Sequence, residues 1–160
     1  MKEITKITSR DNQRLGHARK VRDGKVREQM FIEGRRLVNE ALSSGLVIDE
    51  CFVADDFRDA EMLYAVSERT SAIAQIPARI FASIADTDQS QGIILIAKRP
   101  TVLTEHMESR LGISSLPIVV FLKEINNPSN LGAVLRTAEA AGVAGVIVST
   151  NSADVYSPKA

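Results

Sequence analysis

Cysteine is almost absent: Cys51 stands alone, so no internal disulfide can form. Beside Phe52 and Val53 it reads as a small buried apolar residue rather than a nucleophile. Aromatics make up only 4% of the chain, and Tyr64 and Tyr156 are too isolated to build a platform on which single-stranded bases stack. His17 and His106 lack metal-ligand spacing and read as surface histidines, so no metal is expected. No apolar run is long enough to span a bilayer, and the opening MKEITKITSRDNQR is too polar for a signal peptide. A cytoplasmic globular protein is the expectation. Internal repeats, low-complexity tracts, a G-x-G-x-x-G and a P-loop lysine are all missing.

What is present is a sequence of 160 residues, 44% of them hydrophobic, enough to bury a core in one domain or two small ones. Net charge is zero, yet it is unevenly spread. Residues 1–36 carry 11 Lys and Arg against 5 Asp and Glu, and the remainder carries 9 against 15. A basic N-terminal surface on an acidic chain is either a solvated helix face or a footprint for phosphates. Its candidate RNA-binding residues are Arg10, Arg14, Arg19, Lys20, Arg22 and Arg35.

Apolar spacing predicts a first helix from a Ser9 cap to about Arg22, with Leu15, Ala18 and Val21 as a thin stripe. Residues 31–34 form a short strand or turn. A helix follows with Leu37, Val38, Ala41 and Leu42 on one face and Gly45 beyond its end. Residues 51–54 read as a strand, and residues 57–69 as a helix capped by Asp55 or Asp56. Residues 79–82 read as another short strand, and residues 92–97 (GIILIA) as a buried one. Such alternation predicts an α/β domain over residues 1–98. Residues 99–115 lack a clear period and contain Pro100 and Gly112, so they are expected to be a linker with at most one helical turn.

The rest of the chain is organised around residues 126–142, NNPSNLGAVLRTAEAAG. Apolar runs flank it, LPIVVFL at Leu116–Leu122 and VAGVIV at Val143–Val148, and both suit parallel strands buried on both faces. Between them Leu131, Val134, Leu135 and Ala138 form the apolar stripe of a helix, with Asn127 as cap, Pro128 in the first turn and Gly142 as stop. Asn126, Asn127, Ser129 and Asn130 then fall where strand becomes helix, the crevice in which open α/β sheets bind ligands. An ordinary asparagine-rich turn, with a solvated Arg136 paired to Glu139, is the other reading. Gly132 and Ala133 are small where a helix start meets another backbone or a ligand.

The order N-P-x-N-x-G-A-x-x-R-T-A-x-A-x-G, from Asn127 to Gly142, resembles the first signature motif of the SpoU (TrmH) family of RNA ribose 2′-O-methyltransferases. One departure is Ala141, where the family often has an aromatic. Residues 154–159 (DVYSPK) resemble the segment that follows the motif. The basic opening with Asn12, residues 31–42 and residues 87–96 resemble the small substrate-binding domain of such enzymes, itself similar to ribosomal proteins that bind kinked RNA. The resemblance implies an α/β/α RNA-binding domain over residues 1–98, a linker over 99–115, and over 116–160 the first part of a Rossmann-like, parallel-sheet SPOUT (trefoil-knot) domain. It implies S-adenosyl-L-methionine as methyl donor, no metal, and a homodimer formed through the complete second domain. It gives Asn130 the shaping of the motif loop and Arg136 a place in the active site. A guanidinium stays protonated at ordinary pH, so orienting ribose or phosphate suits Arg136 better than acting as a base.

Two later family motifs that hold the methyl donor have no counterpart in the twelve residues after Val148. The expectation is therefore a piece of a longer protein, without its cofactor pocket, inactive alone and exposing apolar surface on its two-strand second sheet. Ribosomal RNA is the expected substrate and transfer RNA the alternative. A non-catalytic RNA-binding module and a generic nucleotide-binding α/β protein, with phosphate at the helix N-terminus, are the other readings.

Overall fold

A computed structural model describes residues 4–101, 104–113 and 116–160, with Thr104 and His106 described by backbone only; the surface position expected for His106 therefore lies outside the described residues. The chain divides into two compact units, residues 1–99 and residues 100–160.

In the first unit the order is β1 (Thr5–Lys6), α1 (Gln13–Arg22), β2 (Gln29–Glu33), α2 (Arg35–Ser43), β3 (Ile48–Ala54), α3 (Ala60–Arg69), β4 (Ile73–Ile76), α4 (Ala78–Phe81) and β5 (Ile93–Lys98). The strands form one sheet in the order β1-β4-β3-β5-β2. β1, β4 and β3 run parallel, and β5 lies antiparallel between β3 and β2. Buried on both faces, β5 is apolar without alternation, and Ile93, Ile94, Leu95, Ile96 and Ala97 are all inaccessible to solvent.

Strand alternation sorts the core into two layers. Phe31, Phe52, Ala54, Ala74, Ile76, Ile94 and Ile96 pack with Leu15, Ala18 and Val21 of α1 and with Ile80 and Phe81 of α4. The intervening strand residues point the other way, toward α2 and α3, which bury Val38, Ala41, Met62 and Val66. The result is an α/β/α sandwich, as the family resemblance implied. Cys51 is fully buried in it, and burial pushes its thiol well above the ordinary range.

Several boundaries differ from the sequence reading. α1 starts at an Asn12 cap, whose side chain accepts the Arg14 N–H at 2.9 Å, while Ser9 only turns the chain ahead of it. α3 is capped by Asp59, which accepts from the Met62 N–H at 3.0 Å; Asp55 instead accepts the Ala78 N–H at 2.9 Å. Residues 79–82 are helical rather than extended, because Pro77 opens a helical turn there, and the strand lies just before it as β4. Leu37, expected on the apolar face of α2, is 49% exposed.

The second unit contains α5 (Thr104–Ile113), β6 (Leu116–Leu122), α6 (Pro128–Ala141) and β7 (Val143–Val148). α5 corrects the linker reading: its apolar content is little more than Met107 and Leu111, yet it packs on β6 and β7, with Met107 against Gly145. β6 and β7 pair in parallel, as expected for a β-α-β unit. They are not buried on both faces, since Ile118, Phe121 and Ile147 are exposed, as is Val134 of α6. Two strands leave many side chains without sheet neighbours.

Candidate functional site

In α6 the Asn127 side chain accepts from the N–H groups of Ser129, at 2.9 Å, and Asn130, at 3.2 Å, while Pro128 occupies the first turn and Gly142 ends the helix at φ 72°. Leu131 and Ala138 of the apolar stripe are buried, which aims the other side of the helix outward. On that side Asn130 and Arg136 are exposed. The side chains of Asn126 and Asn130 make no hydrogen bond among the described residues. Arg136 does not pair with Glu139; its Nη1 donates to the Ala160 carbonyl oxygen at 3.4 Å.

Two loops meet at the carboxyl ends of β6 and β7. Ser149 Oγ accepts the Glu124 N–H at 2.9 Å, Ser152 Oγ accepts the Ile125 N–H at 3.1 Å, and the two hydroxyls lie 3.1 Å apart. Ala153 N–H donates to the Ile125 carbonyl at 2.8 Å. Glu124 is held at φ 56°, the one described non-glycine residue with positive φ, a conformation that costs an L-residue roughly 1–2 kcal/mol. Sequence reasoning missed this stitch. Two serines just past an apolar strand were its only visible trace.

Of the basic candidates, α1 carries Arg14, Arg19, Lys20 and Arg22, and Arg10 lies just ahead of it. Arg14 Nε donates to Glu50 Oε1, and its guanidinium sits 5.9 Å from the centre of the Phe52 ring. Arg19 donates to the Arg10 carbonyl at 2.7 Å. Arg22 pairs with Asp23 and donates to the Ala85 carbonyl, both at 3.0 Å. Lys20 is exposed, and neither it nor Arg10 forms an ion pair among the described residues. Arg35 pairs with Asp59 on the α2 side of the sheet, away from α1. The Met62 N–H, with Arg35 beside it, holds the Asp59 carboxyl below its usual range. His17 is half-buried rather than on the surface; its Nε2 meets Gln29 Oε1 at 2.6 Å, and Gln29 Nε2 donates to Asp49 at 2.6 Å.

Glu50, with a side chain 13% exposed, has its carboxyl pushed up by burial, and the hydrogen bond from Arg14 offsets part of that rise. A carboxyl raised in the folded state stabilises the fold below its unfolded value and loses that contribution as pH rises through the folded one. Removing Arg14 raises it further. Arg14→Ala is expected to destabilise the chain at pH 7 by about 2 kcal/mol, discounted because Arg14 is itself one-third exposed. The deficit shrinks as pH falls through the Glu50 titration, and Glu50→Gln restores much of it at neutral pH. Urea unfolding at several pH values measures this; a deficit independent of pH contradicts it.

An α/β/α sandwich ahead of a parallel β-α-β unit, with an asparagine-rich turn at the second unit's strand-to-helix junction and an outward arginine in the helix that follows, defines a two-part α/β protein with a Rossmann-like second part. Residues 4–95 match the MRM3-like substrate binding domain, and residues 117–160 match the SpoU rRNA Methylase family. The chain belongs to the SpoU family of RNA methylases and carries the MRM3-like substrate binding domain ahead of the SpoU match. It is 28% identical over 98% of its length to the 23S rRNA (guanosine(2553)-2′-O)-methyltransferase RlmP of Bacillus subtilis, covering 59% of that protein. Over 40% of its length it is 43% identical to the 23S rRNA (guanosine-2′-O-)-methyltransferase RlmB of Shewanella oneidensis, covering 26% of it. The fold matches the crystal structure of an AdoMet-bound rRNA methyltransferase from Sinorhizobium meliloti, with TM-score 0.79 and 22% identity, over 98% of this chain and 58% of that one. The chain thus spans less than two thirds of the length of each of these relatives.

Proposed function

We propose that the protein carrying this chain transfers a methyl group from S-adenosyl-L-methionine to a ribose 2′-hydroxyl of ribosomal RNA, in the cytoplasm and as a homodimer. What supports this reading above all is the pair of asparagine side-chain amides, unengaged among the described residues, at the carboxyl end of a parallel strand, with an arginine fork about two turns into the following helix, in a SpoU family chain.

Methyl transfer needs the 2′-oxygen in line with the methyl carbon and help in removing a weakly acidic proton. When bound, the donor supplies an electrophilic methyl on a cationic sulfonium. The groups displayed by α6 suit the other substrate: amides and a guanidinium recognise ribose hydroxyls and phosphate, whereas a guanidinium repels a neighbouring sulfonium. The α6 groups are thus assigned to the RNA rather than to the methyl donor. In this reading Arg136 orients the ribose or its phosphate, and Asn130 and Asn126 hold the nucleotide against the turn. The first unit brings RNA in through phosphate contacts from Arg10 and Lys20, with Arg14, Arg19 and Arg22 contributing charge while bonded within the unit. Arg35 contributes from the α2 side.

The test incubates the whole protein with S-adenosyl-L-methionine labelled in its methyl group and with ribosomal RNA or transfer RNA, followed by mass spectrometry of the nucleosides. Ribose-methylated nucleoside from ribosomal RNA is the expected product. Label on transfer RNA alone would move the substrate, and label on a base or on neither RNA would overturn the reading.

A further inference from the structure

Ser129, Gly132 and Arg136 are spaced i, i+3 and i+7, so they form one stripe along α6, beside the apolar stripe that packs on the sheet. Residues 157–160 run along this stripe. Ser129 Oγ donates to the Lys159 carbonyl at 3.3 Å, and Arg136 Nη1 donates to the Ala160 carbonyl at 3.4 Å. Between them lies Gly132, which is buried. A methyl group there would overlap the Ala160 carbonyl carbon outright and lie 2.8 Å from its oxygen and 2.9 Å from its Cα. Glycine weakens a helix interior, and here its lack of a side chain is what lets a second backbone cross the helix.

The crossing segment is itself braced. Tyr156 N–H donates to Asp154 Oδ1 at 3.0 Å, Ser157 N–H to the Asp154 carbonyl at 3.1 Å, Lys159 N–H to Ser157 Oγ at 3.3 Å and Ala160 N–H to the Ser157 carbonyl at 2.9 Å. These bonds fold residues 154–160 into consecutive turns that present the carbonyls of Lys159 and Ala160 side by side to α6.

We infer that residues 157–160 clamp α6 and fix the direction of the Arg136 guanidinium, and that Ser129 and Gly132 are the positioning residues through which the clamp acts. The inference rests on the reading of Arg136 as the group that orients the ribose. A free arginine side chain samples many rotamers and must surrender that freedom each time it binds. One donor held on the Ala160 carbonyl restricts that freedom beforehand and leaves the rest of the fork for substrate. Preorganisation of this kind raises kcat more than it lowers KM.

Two measurements on the whole protein test the clamp. The first follows rotation of the Arg136 guanidinium about its Nε–Cζ bond by nitrogen NMR, which needs no activity. Rotation should be at least 3-fold faster in Ser129→Ala and Gly132→Ala than in the wild type, with Ser129→Thr, which keeps the hydroxyl, close to the wild type. The second is methyl transfer to RNA: kcat should fall roughly 10- to 100-fold in Gly132→Ala and about 3- to 10-fold in Ser129→Ala, with RNA KM within about 2-fold and recovery in Ser129→Thr. Equal rotation in wild type and Ser129→Ala overturns the inference, as does a loss confined to KM. A clamped guanidinium in a wild-type protein that transfers no methyl group supports the clamp and strikes the proposed reaction instead.

Discussion

Arg136→Ala is expected to reduce methyl transfer by the whole protein at least 10²-fold, with little change in RNA affinity or in the unfolding of the second unit. Arg136 is exposed on α6 and, among the described residues, bonded only to a backbone carbonyl, so its removal leaves no buried group unpaired and no cavity. Its proposed contribution is made at the reacting nucleotide, where loss of one preorganised donor typically costs about 10²–10³ in kcat. Arg136→Lys keeps the charge but not the planar fork and should recover only part of the loss. Single-turnover transfer of labelled methyl to RNA, beside RNA binding measured separately, decides the matter. Unchanged turnover in Arg136→Ala removes this residue from the chemistry, and parallel losses of turnover and binding make it an anchoring residue instead.

The largest effect on stability is expected from Phe52→Ala, about 3–5 kcal/mol. Phe52 is fully buried on β3, the central strand of the first unit's sheet, and belongs to the core cluster that joins α1 and α4 to it. Truncation leaves a ring-sized void that these elements cannot close without breaking the strand pairs on both sides of β3. It also removes the face over which Arg14 lies. Small domains are stable by only about 5–15 kcal/mol, so much of the first unit's margin would go. Urea unfolding followed by circular dichroism should show a lower midpoint with an unchanged slope. A loss under about 1 kcal/mol would mean that this layer repacks freely.

Local chemistry explains which parts were readable from the sequence. The β6-α6-β7 unit was placed almost residue for residue because its signals are local: an Asn127 cap, Pro128, a 3.6-residue stripe and Gly142. β5 was equally plain as a short unbroken apolar run. The start of α3 was misplaced because Asp55, Asp56 and Asp59 are all capable caps, and the choice was made by Ala78, distant in sequence, which takes Asp55 as its partner. α5 was invisible because docking against β6 and β7, rather than its own periodicity, makes it a helix. For the candidate sites, the sequence marked Asn130 and Arg136 but could not show what holds them. The partners of Arg14 and Glu124 lie 36 and 25 residues away, and the crossing of residues 157–160 over Gly132 is a tertiary contact.

The strand order of the first unit also bears on how the chain folds as it is made. β2 precedes β3, β4 and β5 in the chain, yet among the described strands it pairs only with β5, the last strand of the unit. β3 can pair with β4 beforehand, but its other edge also waits for β5. On the ribosome, β2 with α1 and α2 therefore has no sheet to join until Lys98 has left the exit tunnel. Until that point Phe31 and Ile32 have only the neighbouring helices to pack against, and closure of the sheet becomes a late, long-range event in the unit's synthesis.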